Sequence, residues 1–153
     1  MNFLLAALLI AAMGQILQDP ATVDVCKQVP GVDVAKLFGK VLEEARPVTS
    51  EGEFSRCVYI LGNRGTGDAA SAFTLWLYTP ANYRDLLEYT EGIVDSPKGL
   101  GDEAVLFVDP GDGRSKLRVL VKDRFSFEVT AADADSAKEL AKLALDRFLA
   151  MDR

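Results

Sequence analysis

The stretch LGNRGTGDAA, residues 61–70, sets three glycines, an Asn, an Arg and a Thr after an apolar run. Loops of that composition can cradle a phosphate with backbone N–H groups. The chemistry also needs a helix immediately downstream, its N-terminus aimed at the anion. Here the following segment, SAFTLWLYT, alternates as a strand does. The Gly-Lys-Ser/Thr ending is missing, and the glycine order is not that of a dinucleotide fingerprint. The stretch therefore reads as a long hairpin tip whose glycines supply positive φ. Arg64 is retained as a weak surface contact for an anion.

Two acidic groupings point to no reaction. Asp109 and Asp112 in DPGDGRS faintly resemble a calcium loop, but the regular acidic spacing and the closing Glu are missing. Asp102 and Glu103 are adjacent, so on a strand they face opposite sides and cannot act as a carboxylate pair. The chain has no His. That removes Ser-His-Asp and Cys-His catalysis, imidazole metal ligands and histidine pH switching. An enzyme built on this chain would run on carboxylates, Lys, Tyr or Ser. No metal site and no cofactor is expected.

Cys26 and Cys57 are the two cysteines. With an export signal, an even count points to one structural disulfide. The other readings are a free buried pair or a redox pair; a CxxC motif is absent, and two cysteines alone do not complete a zinc site. Trp76 and Tyr78 share one strand face with Thr74. They are core if helices cover both sheet faces, and an aromatic recognition patch if one face is open.

The elements that must position these residues begin with MNFLLAALLIAAMG. Its apolar run from Phe3 to Met13 is too short to span a bilayer, which takes about 20 residues. It has the length of a signal-peptide core, and Ala12-Met13-Gly14 supplies small residues for cleavage before Gln15. No Lys or Arg precedes the run, and an N-terminal helix packed on the domain is the competing reading. Residues 1–14 are expected to be a signal peptide and 15–153 a single domain, secreted or periplasmic, with no stable membrane insertion after cleavage. At 153 residues the chain suits one domain. A net charge of -6 with no basic stripe argues against nucleic acid.

Val34, Leu37, Phe38, Val41 and Leu42 fall on one helical face, with Asp33 as N-cap, Gly39 inside and Pro47 ending any continuation. EFSRCVYIL and SAFTLWLYT read as strands, with Cys57, Tyr59, Leu61 and Phe73, Leu75, Leu77 on their apolar faces. Residues 80–91 read as a helix. Glu103 to Val108, KLRVLVK and RFSFEVT follow as strands. A last helix opens on a Ser136/Glu139 capping box and buries Ala137, Leu140, Ala141, Ala144 and Phe148. The expectation is an α+β domain: one antiparallel sheet of about five strands packed with helices, in the order α-β-β-α-β-β-β-α.

Cys26 before a short helix ending near Phe38-Gly39, Cys57-Val58-Tyr59 in a strand, Gly99-Leu100-Gly101-Asp102-Glu103-Ala104 entering a later strand and a closing Ala-rich helix form a familiar combination. Over Cys26 to the end, the chain resembles small exported bacterial domains of unknown function, common among actinobacterial lipoproteins and similar to the PsbP-like α/β/α sandwich. The lipid-anchor Cys of lipoproteins is missing, and the resemblance implies no catalytic residues. The expectation is a non-catalytic binding or accessory domain for an unknown protein or small ligand. A carboxylate- or lysine-based enzyme and an assembly subunit of an envelope complex are the alternatives.

Overall fold

The computed structural model describes residues 19–49, 54–63 and 71–152. The signal-peptide segment 1–14 and Arg64 lie outside them. After a short 3-10 turn at Pro20–Thr22, the elements are α1 (Val25–Gln28), α2 (Gly31–Leu37), β1 (Val41–Thr49), β2 (Phe54–Gly62), β3 (Ser71–Tyr78), α3 (Pro80–Glu88), β4 (Ile93–Asp95), β5 (Glu103–Val108), β6 (Ser115–Val121), β7 (Phe125–Ala131) and α4 (Ala134–Leu149). One seven-stranded sheet runs β1-β2-β3-β7-β6-β5-β4, with every neighbouring pair antiparallel. Two meanders, β1 to β3 and β4 to β7, thus join side by side through β3 and β7.

This corrects the expected five strands and their order. The error lies around Gly39. The helix that was to run through Leu42 ends at Leu37, and Gly39 sits at φ 62°. Its N–H reaches Lys36 O, and the Lys40 N–H reaches Ala35 O, which closes the helix in a Schellman turn. Glycine reaches positive φ without steric cost and weakens a helix interior, so it stops the helix here. Val41 and Leu42 then open β1, an edge strand that tolerates Pro47 because Pro lacks only a donor. The second missed strand, β4, is three residues long and shows no alternation, since all three are exposed. The N-caps move as well. Pro30, not Asp33, precedes α2, and Asp133, not Ser136, caps α4 by accepting from the Ser136 N–H at 2.8 Å.

The core lies on one side of the sheet. Odd-numbered residues of β2, β3, β6 and β7 supply it, among them Cys57, Tyr59, Leu75, Leu117 and Val129, all fully buried. The helices α1 and α2 cover the β1–β3 half, where Phe38 stacks on Phe73 at 4.5 Å. The α4 stripe, Ala137, Leu140, Ala141, Ala144 and Phe148, is fully buried over β6 and β7. Alanines bring this helix close to the sheet, and Phe148 meets Phe125 and Phe127 edge-on.

A disulfide joins Cys26 of α1 to Cys57 of β2, with Cα atoms 5.2 Å apart. It ties the helical layer to the sheet directly beside Tyr59, whose hydroxyl donates to Val29 O at 2.8 Å. In the chain-entropy picture a 31-residue loop is worth about 3 to 4 kcal/mol.

Candidate functional site

The opposite side of the sheet carries the candidate residues. Antiparallel register places Val48, Arg56, Trp76, Glu128 and Arg118 in one row across β1, β2, β3, β7 and β6. Phe54, Tyr78 and Ser126 form the next row, and Arg46, Val58, Thr74 and Thr130 the one on the other side. The helix α3 lies over β6 and β7. Its start is fixed by Ser126 Oγ donating to Thr79 O at 2.8 Å and by the Thr79/Asn82 capping box.

Its other end is gripped by Arg118. Arg118 is paired with Glu128 across the strands at 2.5 Å, and both side chains are largely buried. Nη1 donates to Leu86 O at 2.8 Å and also contacts the Thr90 hydroxyl, while the guanidinium lies 4.7 Å from the Phe107 ring centre. A cation at a helix C-terminus meets the negative end of the helix dipole. Sequence reasoning passed over this pair. Its trace is there, as single charges at outward positions of KLRVLVK and RFSFEVT, strands otherwise rich in apolar residues.

Over β1, β2 and β3 no described helix covers this face. Trp76 and Tyr78 lie there half-buried. Their rings are parallel within 4° at 5.9 Å. Phe54 lies 5.1 Å from Trp76 and 5.8 Å from Tyr78. The Arg56 guanidinium sits 4.5 Å from the Trp76 ring centre. Such a cation–π contact is worth about 0.5 to 1 kcal/mol at an exposed site. Burial is the first cause that pushes the Tyr78 hydroxyl well above its ordinary 10.0, and the Glu128 carboxylate is the second. Arg118 and Arg56 oppose the rise in part. Tyr78 is thus a neutral hydrogen-bonding group at physiological pH, not a base.

The remaining sequence candidates do structural work. Asp109 accepts from the Gly111 N–H at 2.8 Å and pairs with Lys116 at 2.5 Å, and Asp112 accepts from the Arg114 N–H at 2.9 Å. The Lys116 ammonium holds the Asp109 carboxyl below its usual range. Asp102 accepts from the Lys122 N–H at 2.8 Å, where Gly101, at φ 62°, lets the loop pass against the Leu120 carbonyl. The connection between β2 and β3 is a hairpin, with Leu61 opposite Ser71, and a strand follows the glycines where a phosphate cradle needs a helix. Residues 64–70, Arg64 included, lie outside the described residues.

A cleft of about 240 Å³ opens between α3 and the loop before β5, lined by Tyr83, Leu87, Lys98 and Glu103. The Tyr83 hydroxyl is buried with no hydrogen-bond partner among the described residues. Its pKa is raised, first by burial and then by Glu103. A raised tyrosine stays protonated, so it does not serve as a base at neutral pH. Among the described residues no group of three or more Cys, Asp or Glu is placed to hold a metal ion. No family model, curated protein or solved structure matches the chain.

Proposed function

We propose that this chain is an exported, non-catalytic binding or accessory domain whose recognition surface is the open half of the sheet, over β1–β3. One observation carries the reading: the only tryptophan of the chain lies partly buried there, its ring parallel to that of Tyr78 and in contact with the Arg56 guanidinium. Trp, Tyr and Arg are the side chains that dominate binding energy at interfaces. Export is supported by the disulfide, since such bonds persist in oxidising compartments. No described helix is long and apolar enough to cross a membrane.

The test is recovery of a partner from the native envelope fraction by the wild type and by Trp76→Ala, with melting curves for both. Trp76→Ala is expected to weaken capture by about 1 kcal/mol or more. Because the ring is half-buried, the stability loss is expected near 1 to 2 kcal/mol, short of the 3 to 5 of a buried aromatic. Equal capture by both proteins would leave the surface without a role. Turnover of any substrate at the Tyr83 cleft would favour the enzyme alternative.

A further inference from the structure

We propose that the open half of this face seats an acidic amphipathic helix of a partner protein. The proposal rests on the recognition surface argued above and goes further by naming the partner's chemistry and shape.

Shape comes from the helix layers. The core side has helices on both halves of the sheet, α1 and α2 over β1–β3 and α4 over β6–β7. Among the described residues, the second side has one helix, α3, over β6–β7. Three strands at about 4.8 Å spacing leave a strip roughly 14 Å wide, and a helix with its side chains is about 10 Å across. The strip therefore takes one helix, lying beside α3. Val48, Val58, Ile60 and Trp76 on the strip are half-buried and offer the apolar contact such a helix needs.

Charge comes from an imbalance. The chain is acidic, with 23 Asp and Glu against 17 Lys and Arg. The strip reverses that sign. Among the described residues it carries Arg46, Arg56 and, at its end beside Ala72, Arg114, against Glu44 and the Glu43 carboxylate over Gly62. Glu128, at the border, is taken up by Arg118. Arg46 and Glu44 are 3.9 Å apart and both exposed, a pair of little worth. Among the described residues no carboxylate reaches Arg56 or Arg114; Arg56 stacks on Trp76, and Arg114 donates to the Ala72 carbonyl. Arg56 and Arg118 stand in one cross-strand row, on either side of Trp76 and Glu128. Arg118 already shows what a guanidinium in that row does, as it holds a helix end and a carboxylate together. Arg56 is the matching group with its carboxylate still to come.

A lipid surface suits the strip less well. The rings are half-buried and do not stand out to enter a bilayer. The apolar run at residues 3–13 lacks the carboxylates that the arginines call for.

A photo-crosslinking residue at Arg46, exposed on the strip, tests the proposal in the cells that export the protein, with the same residue at Asp146 on the exposed side of α4 as control. Mass spectrometry then identifies the joined segment. The expected result is a segment of one other protein with helical apolar spacing and flanking Asp or Glu, absent from the Asp146 control. A synthetic peptide of that segment should bind the purified domain at least tenfold more weakly when its carboxylates become amides. Arg56→Glu should weaken it comparably while the melting temperature stays near wild type. Should Arg56→Glu fail to fold, Arg46→Glu, on an exposed side chain, carries the same reversal. Adducts to lipid, to residues 1–18 of the same chain, to an extended or basic segment, or no adduct at all would overturn the proposal. In each of those cases the Trp76→Ala capture experiment still stands by itself. If that variant loses its partner, the recognition face holds and only the acidic helix falls.

Discussion

Tyr59 shows how one hydroxyl can make the domain sensitive to alkali. It is fully buried, donates to Val29 O, and its pKa is raised above 10.0, first by burial and then by the nearby Asp24 carboxylate. A pKa raised on folding means that its stabilisation is complete below pH 10 and is lost as pH climbs past that value. The melting temperature is therefore expected to fall above pH 10, and Tyr59→Phe should flatten part of that fall. The same variant should cost about 1 kcal/mol at neutral pH, because the Val29 carbonyl loses its donor. A variant with an unchanged alkaline limb would assign the effect to other tyrosines. At this scale the sequence was read well where a residue type has one dominant use. The two cysteines pair, and the odd positions of the apolar strands are buried. It was read poorly for Arg118 and Glu128, because a buried ion pair between strands leaves only two isolated charges in the sequence.

Among the elements, α4 and α2 show how caps decide where a helix starts and stops. Asp133 accepts from both the N–H and the hydroxyl of Ser136, at 2.8 Å each. Those bonds, the backbone one first, hold its carboxyl below the ordinary 3.8. A depressed pKa gives stability that is present above that value and is lost as pH falls through the folded one. Asp133→Ala should cost about 1 kcal/mol at pH 7 and should remove part of the loss of stability expected below pH 4. A Gly39→Ala change meets open space, yet must hold φ 62°, so its expected cost of about 1 kcal/mol is backbone strain alone. Urea melts of both variants check these values. The strand β1 escaped notice because Val41 and Leu42 fit a helical face as well as a strand, and because Pro47 looked like an ending. Tertiary pairing with β2 settles the matter in the folded chain. The candidate surface was legible to the extent that Trp76 and Tyr78 share a face. That α3 would cover only β6 and β7 depends on topology, which no local pattern contains.

For the molecule as a whole, the Cys26–Cys57 bond and the inferred leader make joint predictions. Reduction should lower the melting temperature, since about 3 to 4 kcal/mol of loop entropy returns to the unfolded chain. A reduced protein that melts unchanged would show that the bond carries no net stability. The intact mass of protein taken from its native compartment is expected to lack residues 1–14; a cytoplasmic protein that keeps them would refute export. A buried-core change should be felt globally. Phe148→Ala, at the meeting point of Phe125, Phe127 and α4, should cost about 3 to 5 kcal/mol.

The central seam has a consequence in time. The strand that joins the two meanders, β7, is the last to be made, and it lands in the middle of the sheet between β3 and β6. As the chain emerges from its N-terminus, β1 to β3 can pair, and the 26–57 bond can close among them. Until residues 125–131 arrive, β3 presents an unpaired edge flanked by Phe73, Leu75 and Leu77, which invites pairing with other chains. An oxidised, truncated product ending before Phe125 is therefore the aggregation-prone species. Exposure of the seam is set by how quickly the final thirty or so residues follow the first hundred and twenty, so the hazard of making this protein is one of pace.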